Sequence, residues 1–178
     1  CALFTNTTGT LNTAIGQAAL QANTTAVANT ASGYRAMVSN TTGASNTAMG
    51  YIALQANTTG ACNVAVGQSA MKYNTTGALN VAVGHNALQA NTTASYNNAF
   101  GTYALQANTT GAQNTGVGFC TLAATTSGHY NTGSGTHALA SNTTGCRNSA
   151  FGIILLVVML LYYLPQQVIL ILLLVFRV

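Results

Sequence analysis

This chain of 178 residues has no aspartate, no glutamate and no tryptophan, and a single proline. Charged residues make up 2% of it, against roughly 25% in an average soluble chain. The missing carboxylates exclude several kinds of chemistry together. Carboxylate dyads, carboxylate-held Mg²⁺ or Ca²⁺ and Ser-His-Asp triads all need groups that are not here. We therefore expect no enzyme and no cofactor. The formal charge of +4 comes from Arg35, Lys72, Arg147 and Arg177. Cations so scattered make no patch for nucleic acid.

An initiator Met and a signal peptide are missing too. Instead, Cys1-Ala2-Leu3-Phe4-Thr5 stands in register with His137-Ala138-Leu139-Ala140-Ser141. That match points to a repeat that began upstream of Cys1.

What fills the chain is a 17-residue unit, typified by Asn74-Thr75-Thr76-Gly77-Ala78-Leu79-Asn80-Val81-Ala82-Val83-Gly84-His85-Asn86-Ala87-Leu88-Gln89-Ala90. Units start at Asn6, Asn23, Asn40, Asn57, Asn74, Asn91, Asn108, Thr125 and Asn142, without insertion or deletion. A period this short and strict marks a solenoid, in which one coil buries little alone.

Comparing copies shows which positions are held. The seventh is Asn throughout: Asn12, Asn29, Asn46, Asn63, Asn80, Asn97, Asn114, Asn131 and Asn148. The eleventh is always Gly, the ninth only Ala or Gly, and the fifteenth Leu or Met in every complete copy. A helix is excluded, because glycines and Asn-rich corners interrupt it in each unit. We expect an all-β chain, a parallel β-solenoid of nine 17-residue coils over residues 1–152, followed by a hydrophobic tail over 153–178.

Each coil is expected to hold two short strands. Alternation through Asn80-Val81-Ala82-Val83 puts both valines on one face and Ala82 on the other. The reading here sends the valines and Leu88 into one core, with Gly84 as a turn of positive φ and Asn-Thr-Thr-Gly as the other corner. The invariant Asn column becomes a hydrogen-bonded ladder with a structural role. The small column, Ala14, Ala31, Ala48, Ala65, Ala82 and Ala99, then lies outside and is the expected face for assembly.

Other candidates for chemistry are weaker. His85, His129 and His137 occupy variable positions and do not converge as metal ligands must. Cys1, Cys62, Cys120 and Cys146 are also at variable positions. Cys62 and Cys146 stand five coils apart, about 24 Å, beyond a disulfide's reach. Asn-x-Ser/Thr sequons fall at Asn6, Asn23, Asn40, Asn57, Asn74, Asn91, Asn108 and Asn142. They admit two explanations: glycan acceptors on one edge, or simply the corner. The Thr column from Thr7, Thr24, Thr41 and Thr58 onward raises an ice-binding face, although only one of two adjacent Thr side chains faces out.

The tail, residues 153–178, breaks the repeat and is apolar except around Pro165-Gln166-Gln167. It suits a kinked membrane span or a segment buried between chains, and cannot face water.

Asn-Thr-Ala-Ile-Gly and Asn-Val-Ala-Val-Gly resemble the repeat core in head domains of trimeric autotransporter adhesins. The whole unit also resembles Asn-Thr-Thr-Gly repeats in tail-fibre-like proteins of phages and other viruses. The resemblance implies a left-handed parallel β-roll, three chains side by side and a role in attachment. The expected function is a self-assembling structural or adhesive fibre, outside the cell or on a cell or virion surface. Its partners would be copies of itself as a trimer or fibre, with a host-surface receptor or glycan as a further candidate and a membrane through 153–178. An ice-binding solenoid is the alternative.

Overall fold

The computed structural model describes residues 1–152. The tail over 153–178, and with it the membrane or buried-segment expectation, lies outside the described residues. Within them the chain is an all-β solenoid. Nine three-residue strands, from β1 (Thr13–Ile15) through β5 (Val81–Val83) to β9 (Ser149–Phe151), form one parallel sheet in sequence order. Each strand pairs with the same three positions of the next coil, as in Val64↔Val81 and Ala65↔Ala82. Among the described residues no helix is long and apolar enough to cross a membrane.

The strands face the opposite way from the sequence expectation. Ala31, Ala48, Ala65, Ala82 and Ala99 are fully buried, whereas Val81 and Val83 are half-buried and point outward. The Ala14-to-Ala99 column is thus an interior column, and the assembly face assigned to it is corrected. The reason is the width of the coil. A Cβ built at Gly116, in the same column, would lie 3.5 Å from both Leu105 Cγ and Thr121 Cγ2. One methyl group fits between sheet and opposite wall, and a valine does not.

That opposite wall carries the large core residues, Leu20, Met37, Leu54, Met71, Leu88, Leu105 and Leu122, all fully buried. Burying each removes on the order of 1.5–3 kcal/mol of unfavourable hydration. Here the structure makes a second correction, since this segment is not a strand. Asn86 has φ 54° and Leu88 φ 52°, the left-handed conformation, repeated in coil after coil. Neighbouring coils still share its backbone bonds. The Asn86 N–H donates back to Gln68 O at 3.0 Å, and the Leu88 N–H donates forward to Ala104 O at 2.9 Å. Such backbone costs about 1–2 kcal/mol per residue for a non-glycine, and stacking on both sides is what holds it. At the remaining bend Gly84 has φ 138°, and a Cβ there would meet the Gly101 carbonyl carbon at 2.6 Å. Both the dihedral and the tight stacking require glycine at this bend.

Candidate functional site

Two Asn ladders close the corner and define which surfaces remain free. In the expected ladder, Asn80 donates its backbone N–H to Asn63 Oδ1 at 3.0 Å, and its Nδ2 to Ala94 O at 2.8 Å. The second ladder was missed from sequence and runs through the sequon asparagines. Asn74 Nδ2 donates to Asn57 Oδ1 at 2.8 Å and to Gly77 O at 2.9 Å. The signal was present in the Asn at the first position, but the sequon pattern drew it toward glycosylation.

Asn23, Asn40, Asn57, Asn74, Asn91 and Asn108 are fully buried. Asn6 and Asn142 are half-buried, their Nδ2 atoms donating to Gly9 O and Gly145 O. At the six buried positions the nitrogen that would carry a sugar is engaged inside the coil, with no room for a glycan on it. Geometry favours the corner explanation.

The corner threonines are also committed. Thr75 Oγ1 donates to Thr92 O at 3.0 Å, and the same bond recurs from Thr24, Thr41, Thr58, Thr92 and Thr109. That column ties coils together along the axis. The exposed threonines of the corner are those one residue later, such as Thr42, Thr59 and Thr76.

Histidines and cysteines stay dispersed. His85 packs edge-on against Tyr103 and His137 against Phe119, each at 5.3 Å between ring centres. His129 Nδ1 accepts the Ala112 N–H at 3.0 Å, and the His129 N–H donates to Cys146 Sγ at 3.3 Å. Among the described residues no three His, Cys, Asp or Glu side chains gather as a metal requires. All four thiols are free; Cys1, Cys62 and Cys146 are exposed, and burial pushes the Cys120 thiol up.

What remains is the outer face of the sheet, built from the eighth and tenth positions of each coil. Ile15 is 63% exposed, Met49 47%, Phe100 42% and Val117 43%. Between them lie Val64, Val66, Val81 and Val83, half-buried only by their own neighbours in the ladder. The neighbouring column holds Thr13, Thr30, Thr47, Thr115 and Thr132, whose hydroxyls have no hydrogen-bond partner among the described residues. No charged residue stands on any of the nine strands. The adjoining bend carries rings that pack on one another along the axis, as Tyr34 and Tyr51 do at 5.3 Å and 11°. Further along the same bend His85, Tyr103, Phe119 and His137 pack edge to face.

Comparison with protein-family models, with curated proteins and with solved structures finds no match to this chain.

Proposed function

We propose that this chain is a structural and adhesive protein that works by associating with copies of itself through the outer sheet face, outside the cell or at a cell or virion surface. The observation that carries the proposal is the uncharged outer face with Val64, Val66, Val81, Val83 and Phe100 at its middle. Strands stacked about 4.8 Å apart, each about 10 Å long, give nine of them a face on the order of 430 Å². Half of its outward positions are apolar and the rest carry hydroxyl or amide side chains, and an apolar patch of a few hundred Å² on a protein surface is often functional. With no side-chain carboxylate in the chain and a net charge of only +4, little electrostatic repulsion opposes association. The resemblance to adhesin heads and tail fibres adds the same direction, since those proteins work as chains packed side by side.

Sedimentation velocity on the full chain in mild detergent tests this. Wild type should sediment as an oligomer, and Val66→Lys with Val83→Lys should return it to a monomer with an unchanged circular dichroism spectrum. A monomeric wild type would overturn the proposal.

Ice binding is the second reading, favoured by the outward Thr13, Thr30, Thr47, Thr115 and Thr132 on an in-register parallel sheet. It moves from the corner threonines, whose hydroxyls are bound, to these free ones. Thermal hysteresis at millimolar protein, lost on Thr47→Lys, would support it over self-association, and no hysteresis would dismiss it.

A further inference from the structure

We infer that the partner on the outer face is a second copy of this chain laid antiparallel, with a two-fold axis passing through β5 at Val83. The inference rests on the proposed self-association and adds its geometry. The sequence along each outward column is close to symmetric about β5. In the tenth-position column Val83 is central, Ser32 and Ser134 stand three coils away on either side, and Ile15 and Phe151 stand four coils away. In the eighth-position column Val81 is central, with Thr47 and Thr115 two coils away and Thr30 and Thr132 three.

Two sheets can meet face to face around a two-fold axis in two simple ways, and they pair different columns. If the axis runs along the solenoid, each coil lies on its own copy and the columns exchange. Every tenth-position side chain then faces an eighth-position one. Phe100 would lie on the partner's Asn98, Met49 on the partner's Thr47, and Val117 on the partner's Thr115. Those polar groups would be desolvated against carbon without a hydrogen-bond partner, at about 1–3 kcal/mol each.

If the axis instead runs along the strands, the solenoids are antiparallel and each column lies on itself in reverse. The same residues then match. Met49 faces the partner's Val117, Phe100 faces the partner's Val66, and Val83 faces its own copy. The serines at 32 and 134 meet, as do the threonine pairs 30 with 132 and 47 with 115, hydroxyl to hydroxyl. Asn98 opposite Val64 is the one pair that does not match. An isologous interface needs this self-complementarity, in which i meets j and j meets i. The sheet face alone supplies about 430 Å² per chain, roughly half of the ~800 Å² per partner of a standard stable interface, so the flanking bends must join the contact.

Single cysteines placed on the face read the arrangement directly. In the full chain with Cys1, Cys62 and Cys146 changed to Ser and Cys120 to Ala, retention of the wild-type circular dichroism and sedimentation comes first. A short bis-maleimide should then cross-link Val83→Cys to itself. Ser32→Cys alone should give no covalent dimer, because its two copies would stand about 29 Å apart. Mixed with Ser134→Cys it should cross-link efficiently. Self-linking of Ser32→Cys at or above the mixed yield, or a trimeric mass, would overturn the antiparallel pair while leaving self-association intact. A monomer in sedimentation, including one whose face is covered by residues 153–178, would overturn both.

Discussion

Asn108 and Thr125 occupy the first position of successive coils, and Asn108 Oδ1 is buried with no hydrogen-bond partner among the described residues. In the coils before it, that oxygen accepts from the Asn of the next coil, as Asn91 Oδ1 does from Asn108 Nδ2 at 3.2 Å. Thr125 has no amide to offer, and its hydroxyl donates instead to Asn142 O at 3.0 Å. The ladder is broken at this step by one substitution.

Thr125→Asn should repair it. The introduced amide would donate to Asn108 Oδ1 and accept from Asn142 Nδ2, at the loss of the hydroxyl bond to Asn142 O. Relieving a buried unsatisfied acceptor is worth about 1–3 kcal/mol, so a net gain on the order of 1 kcal/mol is expected in urea unfolding. Equal or lower stability would show that the orphan oxygen is not a weakness.

A second departure lies next to the first and is internally compensated. Thr121 replaces the usual Ala of the fourteenth position, and Gly116 and Gly133 replace the usual Ala of the ninth. A Cβ built at Gly133 would come within 2.6 Å of Thr121 Cγ2. Gly133→Ala should therefore destabilise by about 1–3 kcal/mol through overpacking. Adding Thr121→Ala should recover most of that loss, giving a coupling energy of at least about 1 kcal/mol in a double-mutant cycle. Additive effects would contradict the packing described for this wall.

The two faces of β5 should respond differently to charge. Ala82 is fully buried, and Ala82→Arg places a cation where no counter-ion exists. Several kcal/mol of destabilisation follow, read as loss of the β signal in circular dichroism. Val83→Lys, one residue along, should leave that signal intact. If Ala82→Arg were folded and merely dissociated, the inward orientation of the column would be refuted.

Acid should do little. Acid unfolding comes chiefly from protonating carboxylates that are paired in the native state, and this chain has no Asp or Glu side chain. The melting temperature should fall by no more than a few degrees between pH 6 and pH 3, roughly 1 kcal/mol or less on the usual scale. A steep loss below pH 4 would count against this account.

Much of the fold was legible because the repeat is strict. The invariant Gly at the eleventh position marked a bend, the fixed Asn at the seventh marked a ladder, and Leu or Met at the fifteenth marked the core, as Gly84, Asn80 and Leu88 show. The orientation of the strand was not legible by the rule that large apolar residues go inside. Period-two alternation separates two faces without saying which one is buried. A better signal was available in the variation. Asn80 and Ala82 share one face and belong to the fixed columns, whereas Val81 and Val83 belong to columns that also admit Thr, Asn, Ser, Met and Phe. Constancy within the chain, more than hydrophobicity, marked the interior.

The sequence by itself determined a stack of identical β coils, because a unit repeated without insertion can only place like residues over like. Tertiary structure decided what those residues face. A 17-residue coil closes around so little volume that the methyls of Ala82 and Ala87, the side chain of Leu88 and two hydrogen-bonded amides, Asn74 and Asn80, fill its section. The larger valines are thereby turned outward, and the sequon amides inward. Neither outcome is a property of a single coil, since the Asn and Gly bonds that impose it are made to the coils above and below.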